Sequence, residues 1–449
     1  MLDNPLVRRE FDSIQNAPLG EVFWKVEAII IANSRRLKVN NVFAIDNLRN
    51  YEENFGDEHY VHMDLGYTSF FRFVLPYKDN LQVEIVRSLV DARGIEISGG
   101  KQTRRKYVGW LINPPEIKYI KNARGMADDF DNESAQLVPF TMQLMEPVLN
   151  TERLTDVAQV YDDITPGELL EHLHGQSVNP NASEATLTSA NYAGVRGVDM
   201  VRPDNVRRYR SIIVPPDTKL TQLVKRIQED KGVYSTGINR YFQDGRWFIY
   251  PLYNHQRFGE ATKRLTIYNF PNDELVAPER SFKVRGKDIT ILSTGLTTVL
   301  NQTEEVAANI GTGLRFVKSG SLIDGMSDAS SNKATPNYDT TTQGFSIEEK
   351  PTGLTNARLS KRGMTENPFV ETSEMMKGMG VLLTCDWSNC MPKYVVPGMP
   401  VKFIYEDAGE LQEAFGTVLG FRSKEAPDTE FFTDNLYRTD GTLILHLKK

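Results

Sequence analysis

Several groups of residues have types and spacings that chemistry can use. His59 and His62, with Asp64 beside them, are metal-ligand types in an alternating strand pattern. An odd offset puts His59 and His62 on opposite faces of a regular strand, so the two cannot hold one ion. His62 and Asp64 share a face, yet two ligands fall short of the four that a structural site uses, and they read as a solvated or lumen-facing pair. His172 and His174 point about 200° apart on a helix and read as ordinary surface residues. Cys385 and Cys390 have no histidine nearby and no second cysteine pair. They fit a chain folded under reducing conditions rather than a metal site.

The stretch from Gly94 through Gly99, Gly100 and Lys101 to Gln102 nearly spells a phosphate loop. Glycine stands where the lysine belongs, and no Ser or Thr follows Lys101, so a β-turn carrying a lysine is the reading. Gly311-Thr312-Gly313 lacks the third glycine of a dinucleotide fingerprint. Asp128, Asp129 and Asp131 have acidic spacing without the Gly and terminal Glu of a calcium loop, and Asp162-Asp163 is a bare acid pair. Arg104-Arg105-Lys106 and Arg207-Arg208-Tyr209-Arg210 are the basic clusters. In an acidic chain they are expected to meet carboxylates of a neighbouring subunit rather than nucleic acid. No catalytic, cofactor-binding or metal-ligating residue is assigned, and no cofactor is expected.

These residues sit on elements that the sequence spells more clearly. Leu220, Leu223, Val224 and Ile227 line one helical face, with Asp217 or Thr218 as cap and Gly232 as stop. Ile238–Phe242 and Arg246–Leu252 flank Gln243-Asp244-Gly245, an Asp-Gly hairpin signal. Trp247 and Ile249 would face one side and Phe248 and Tyr250 the other, so the hairpin should be covered on both faces. Leu265–Phe270 is expected as its third strand. A second helix is announced near 166–174, where Thr165, Pro166 and Glu168 make a capping box with proline at the first helical position. Strands are expected over 22–31, 60–75, 81–90, 106–112 and 136–145. Further strands are expected over 282–292, 313–316, 380–384, 399–405, 414–421 and 443–447. Gly416 and Gly420 mark bulges. Residues 175–205 and 319–380 read as long connections.

At 449 residues the chain needs more than one core. A net charge of −7 argues against broad phosphate-backbone binding. No apolar run reaches the length of a membrane span, and the first residues have no signal-peptide core.

The segment Gly232–Gly237, Trp247–Tyr253 and Arg257-Phe258, with the Pro-capped helix before it and Pro397-Gly398-Met399-Pro400-Val401-Lys402-Phe403 near the end, resembles the hub proteins of contractile-tailed bacteriophage baseplates. The resemblance covers about a quarter of the chain. It implies a mainly β (α+β) fold with two tube-like β-barrel domains, each with a packing helix, plus smaller β domains. The expected division is a first barrel over 1–205, a helix plus β-meander over 206–318, an arm over 319–380 and a small β domain over 381–449. It further implies a structural virion protein of the tail tip, assembled in the host cytoplasm. Three copies would form a ring joining tail tube to central spike, with wedge and tape measure proteins as further neighbours. The rival readings are a tail-associated peptidoglycan hydrolase working with an Asp/Glu pair, and another ring or adaptor of the tail or neck.

Overall fold

The computed structural model describes residues 1–17, 23–79, 81–91, 94–97, 102–112, 137–184, 186, 192, 194–270, 280–294, 298–300, 314–318, 343–347, 366–369, 376–377, 380–428 and 436–448. The chain is mainly β. Its first strands are β1 (Phe23–Ala32), β2 (Arg35–Lys38), β3 (Asn41–Asn50), β4 (Glu58–Gly66), β5 (Leu81–Val90), β6 (Thr103–Ile112) and β7 (Leu137–Met145). Two long strands near the C-terminus, β21 (Glu410–Pro427) and β22 (Leu436–Lys448), complete their sheet. The antiparallel pairings run β1–β5–β6–β7–β4–β3–β21–β22 and return to β1, where Trp24 faces Tyr437. This closes a ring of eight strands. Alternation explains its core: Val26, Ala28 and Ile30 of β1, Val83 and Ile85 of β5, and Val61 and Met63 of β4 fall in one buried cluster.

The other halves of the long strands belong to a second sheet. Its members are β13 (Arg264–Phe270), β14 (Phe282–Arg285), β15 (Asp288–Thr294), β16 (Thr298–Leu300), β19 (Gly380–Trp387) and β20 (Pro400–Asp407). The order is β14-β15-β13-β20-β21-β22-β19-β16, with β13 parallel to both neighbours. The register of β21 on β22 shifts between Val418 and Gly420, where the strand passes from one sheet to the other. Gly416 is needed for contact: a Cβ there would lie 2.0 Å from the carbonyl oxygen of His446. The second core is rich in aromatics, with Trp387, Phe282, Phe421 and Tyr250 fully buried.

A third layer joins β8 (Gln159–Ile164) and β10 (Tyr209–Val214) in a two-stranded ribbon, and β9 (Gly197–Met200), β11 (Ile238–Gln243) and β12 (Arg246–Pro251) in a three-stranded sheet. The helices Pro166–Gly175 and Leu220–Asp230 pack between them. The Thr165/Glu168 capping box forms. Gly232 ends the second helix at φ +70°, but the cap is Lys219; Asp217 has φ 64° and Thr218 Oγ1 donates to Pro215 O instead. Asp244 and Gly245 both have positive φ, as a tight hairpin turn requires. Trp247, Ile249 and Tyr250 fall into three different buried clusters, so both hairpin faces are covered.

Several expectations are corrected. The strand expected over 60–75 stops at Gly66, and Tyr67–Tyr77 winds into helical turns that place Phe70 and Val74 in the ring core. Aromatics spaced two apart suit that turn as well as a strand, so their pattern misled. The third strand beside the hairpin is β9, paired parallel to β12, while β13 joins the second sheet. The two helices, expected on separate barrels, share one core through Leu169, Leu173, Leu223 and Ile227. The stretch 381–449 supplies β21 and β22, which pair with β1 and β3. Most of 319–380 lies outside the described residues; within it, β18 (Gln343–Ile347) pairs with β17 (Leu314–Lys318).

Candidate functional site

Where the Asp244-Gly245 turn meets the ring, opposite charges collect beside a cavity of about 230 Å³. Alternation on β6 sends Arg105 and Tyr107 to one side and Arg104 and Lys106 to the other. Arg105 pairs with the Asp244 carboxylate at the turn tip, and its other guanidinium nitrogen lies 3.7 Å from Glu146 Oε1. Arg196 lies across the turn, its backbone N–H donating to Gly245 O at 2.6 Å. A side chain at position 245 would strike Arg196 Nε at 2.8 Å, so glycine is required for space as well as for φ. Tyr107, Tyr192 and Pro147 also line it, as do Arg104 and Lys106.

Beneath the cavity the seam continues inward. Arg49, 6% exposed, donates to Asp57 at 3.0 Å and to Pro392 O at 2.7 Å. Tyr241 Oη donates to the other Asp57 oxygen at 2.9 Å, and His59 Nε2 stands 3.7 Å from Asp57. Gln243 accepts from Tyr51 Oη at 3.1 Å and donates to Val395 O at 2.8 Å. Three parts of the molecule are thereby tied together: the ring through Arg49 and Asp57, the hairpin through Tyr241 and Gln243, and the second sheet's loop through Pro392 and Val395.

The environments push these groups apart. Burial drives Glu146 up to about 7 against the pull of Arg105. Burial would also raise Asp244, but Arg105 and Arg49 outweigh it and the carboxyl sits below its ordinary range. Burial holds His59 down to about 4, against the attraction of Asp57. Burial opposes the charge on Arg49, yet Asp57 and its neighbours raise its pKa overall. A guanidinium bridging two carboxylates of unequal acidity can serve as a fixed clamp, or as a proton donor and acceptor pair facing a cavity.

The residues singled out by sequence are mostly dispersed. His59 and His62 do lie on opposite faces: His62 sits 3.0 Å from Asp46 Oδ2 and 2.9 Å from Thr141 Oγ1. Asp64 accepts from the Asn41 backbone and side chain, each at 2.9 Å. His172 is exposed, but His174 is fully buried, which corrects its reading as a surface residue. One turn after Leu170, its Nδ1 reaches Leu170 O at 2.8 Å and its ring meets Trp247 edge-on at 5.0 Å. Cys385 and Cys390 are buried free thiols, and burial pushes Cys385 up to about 12. The basic clusters, expected to meet another subunit, find carboxylates within the chain. Arg104 and Lys106 lie 3.8 and 3.7 Å from the buried Glu84, and Arg208 pairs with Asp163 and Glu168. Among the described residues no group of three or more His, Cys, Asp or Glu side chains is placed to hold a metal. Asp128, Asp129, Asp131, Gly311–Gly313 and residues 98–101 of the 94–102 loop lie outside the described residues.

Sequence reasoning missed Glu84, Asp57 and Glu146. For Glu84 a signal was present: it sits between Val83 and Ile85 on an alternating strand, and Lys106 is its cross-strand partner. Asp57 and Glu146 stand at strand ends, where periodicity carries no information.

No known family model matches this sequence, and no curated protein matches it. Among solved structures the chain is similar to the 43 kDa tail protein of prophage MuSo2 from Shewanella oneidensis. That match has 8% identity and a TM-score of 0.44, over 93% of this chain and 98% of that one. A tail protein from Neisseria meningitidis MC58 aligns at 10% identity and a TM-score of 0.40, covering 94% and 96%. The E. coli c3393 protein, a component of the type VI secretion system, aligns at 7% identity and a TM-score of 0.37, covering 94% and 77%.

Proposed function

We propose that the chain is a structural protein of a phage tail tip: a hub that joins tail tube to central spike by forming a symmetric ring of three copies. The observation that carries this reading is the closed ring of eight strands, continuous through β21 and β22 with a second sheet. Such a body is stiff, because bending one sheet relative to the other must break ladders along both long strands. Stiffness and repeated β surfaces suit a load-bearing connector. The hub resemblance of Gly232–Tyr253 supports the same reading, since that segment builds the hairpin at the junction of all three layers. Residues 319–380 are proposed as the arm that reaches a neighbouring copy, spike or wedge. Mass photometry of the purified chain, alone and with tail tube protein, tests the proposal. A three-fold mass that caps tube ends is expected; a monomer under both conditions overturns it.

One observation favours a second reading, a tail-associated peptidoglycan hydrolase. Glu146 and Asp244 face one cavity with their acidities driven apart, as an acid and a base would be. Turnover of peptidoglycan that disappears in Glu146→Gln would establish it, and no turnover by the wild-type chain removes it.

A further inference from the structure

The chain carries a net charge of −7, yet cations gather along β2 and β6. Arg36 of β2 donates to both oxygens of the buried Glu84, at 2.6 and 3.4 Å. Arg104 and Lys106 of β6 lie 3.8 and 3.7 Å from that carboxylate, too far for good hydrogen bonds. Both also line the cavity beside the Asp244-Gly245 turn. There one guanidinium nitrogen of Arg105 donates to Asp244, while the other stands 3.7 Å from Glu146. Arg196 lines the same cavity.

Among the described residues, five cations at this place (Arg36, Arg104, Arg105, Lys106 and Arg196) meet three carboxylates, Glu84, Asp244 and Glu146. Arginines already hydrogen-bond Glu84 and Asp244. Glu146 differs. Burial drives it up to about 7 against the attraction of Arg105 and Arg196, with Asp244 and Asp57 adding repulsion. The positive surplus is therefore two charges with Glu146 ionised and three with it protonated. The cavity, about 230 Å³, is smaller than the roughly 300 Å³ at which pockets for drug-sized ligands begin. It has room for an ion of a few heavy atoms with some of its water.

We propose that this cavity binds one small divalent oxyanion, of the size and charge of sulfate or phosphate, held by Lys106, Arg196 and the second Arg105 nitrogen, with Glu146 as its gate. An ionised Glu146 competes for Arg105 and repels the ligand. A protonated Glu146 releases Arg105 and can donate its own O–H to the oxyanion. Binding therefore tightens as pH falls through 7, and it takes up a proton. The hydrolase reading uses the same cavity, but this inference is independent of it and of the ring, since no bond is broken and one copy suffices.

Sulfate keeps its double charge across the neutral range, whereas phosphate titrates there, so sulfate is the probe. Isothermal titration of the full chain with sulfate, at an ionic strength held constant with chloride, should give saturable one-site binding. It should be about tenfold tighter near pH 6 than near pH 8. Glu146→Gln should bind at both pH values as tightly as the wild type does at the lower one. Lys106→Gln alters a side chain that is 59% exposed. It should leave the thermal midpoint unchanged and weaken binding about tenfold. Absence of saturable binding at both pH values overturns the site, as does binding that Lys106→Gln leaves unchanged. A pH dependence that persists in Glu146→Gln overturns the gate. None of these failures touches the hub or hydrolase readings, which are tested by oligomer mass and peptidoglycan turnover.

Discussion

The closed ring and the second sheet share two strands yet are built differently. The ring is antiparallel throughout, returns on itself and encloses a core dominated by Val, Ile, Leu and Met, with Phe70, Phe140, Tyr107 and Tyr437 among them. Among the described residues the second sheet's path stays open; it runs β13 parallel to both neighbours and includes Trp387, Phe282, Phe421 and Tyr250 in its core. Closure removes edges, so aliphatic residues in alternation can supply most of the core. An open sheet must be finished by loops and large side chains that bring their own hydrogen bonds, as Trp387 does in donating to Ser281 Oγ at 3.0 Å. The difference shows how one long hairpin can serve two packing solutions, with a register shift at Gly420 as the hinge between them.

The comparison is tested most severely by removing the second sheet's anchor. Trp387→Ala should cost about 3–5 kcal/mol in urea unfolding. Because β21 and β22 run through both regions, the ring should unfold in the same transition; two separate transitions would show the regions to be independent. Asp57→Asn strikes the seam between them, leaving Arg49 buried opposite an uncharged amide. A loss of about 3 kcal/mol is expected, and a loss below about 1 kcal/mol would mean that water reaches Arg49 and the seam binds little.

Acid supplies the third probe. His59 in the ring and His255 beside the second sheet are both held near 4 by burial, below the ~6.5 of an unfolded histidine. The unfolded chain therefore takes up protons first as pH falls. Stability is whole above about pH 6.5 and is lost between there and pH 4, on the order of 1–2 kcal/mol for His59 at pH 5. His59→Gln should flatten that slope on the ring side; an unchanged slope would place the sensitivity elsewhere. The smallest effect is expected away from both sheets, where Thr165→Ala removes half of a capping box at a cost of about 1 kcal/mol.

Much of this was legible in the chain. The Asp-Gly turn, the Thr165/Glu168 box and the strands over 81–90 and 137–145 follow from local chemistry and period alone. The helix Pro5–Gln15 and β3 were not read: the first has a moderate apolar stripe among charges, and the second, NVFAIDNLRN, mixes polar residues into both faces. That β21 and β22 complete the ring was invisible, because it depends on Trp24 meeting Tyr437, a pairing between distant parts of the chain that no local pattern encodes. The charged cavity was hidden for the same reason. Glu146, Arg196 and Asp244 look unremarkable until four separate segments bring them together with Arg105, and the buried His174 reads as polar surface until its carbonyl partner is seen.

The pairing of β1 with β22 also sets a timetable for synthesis. The ribosome delivers β1 long before its closing partner β22, so the wall of the ring must wait, unsealed, while the strands between them are made. During that interval the N-terminal strands are exposed to stray pairing, and a prematurely terminated product retains that vulnerability permanently.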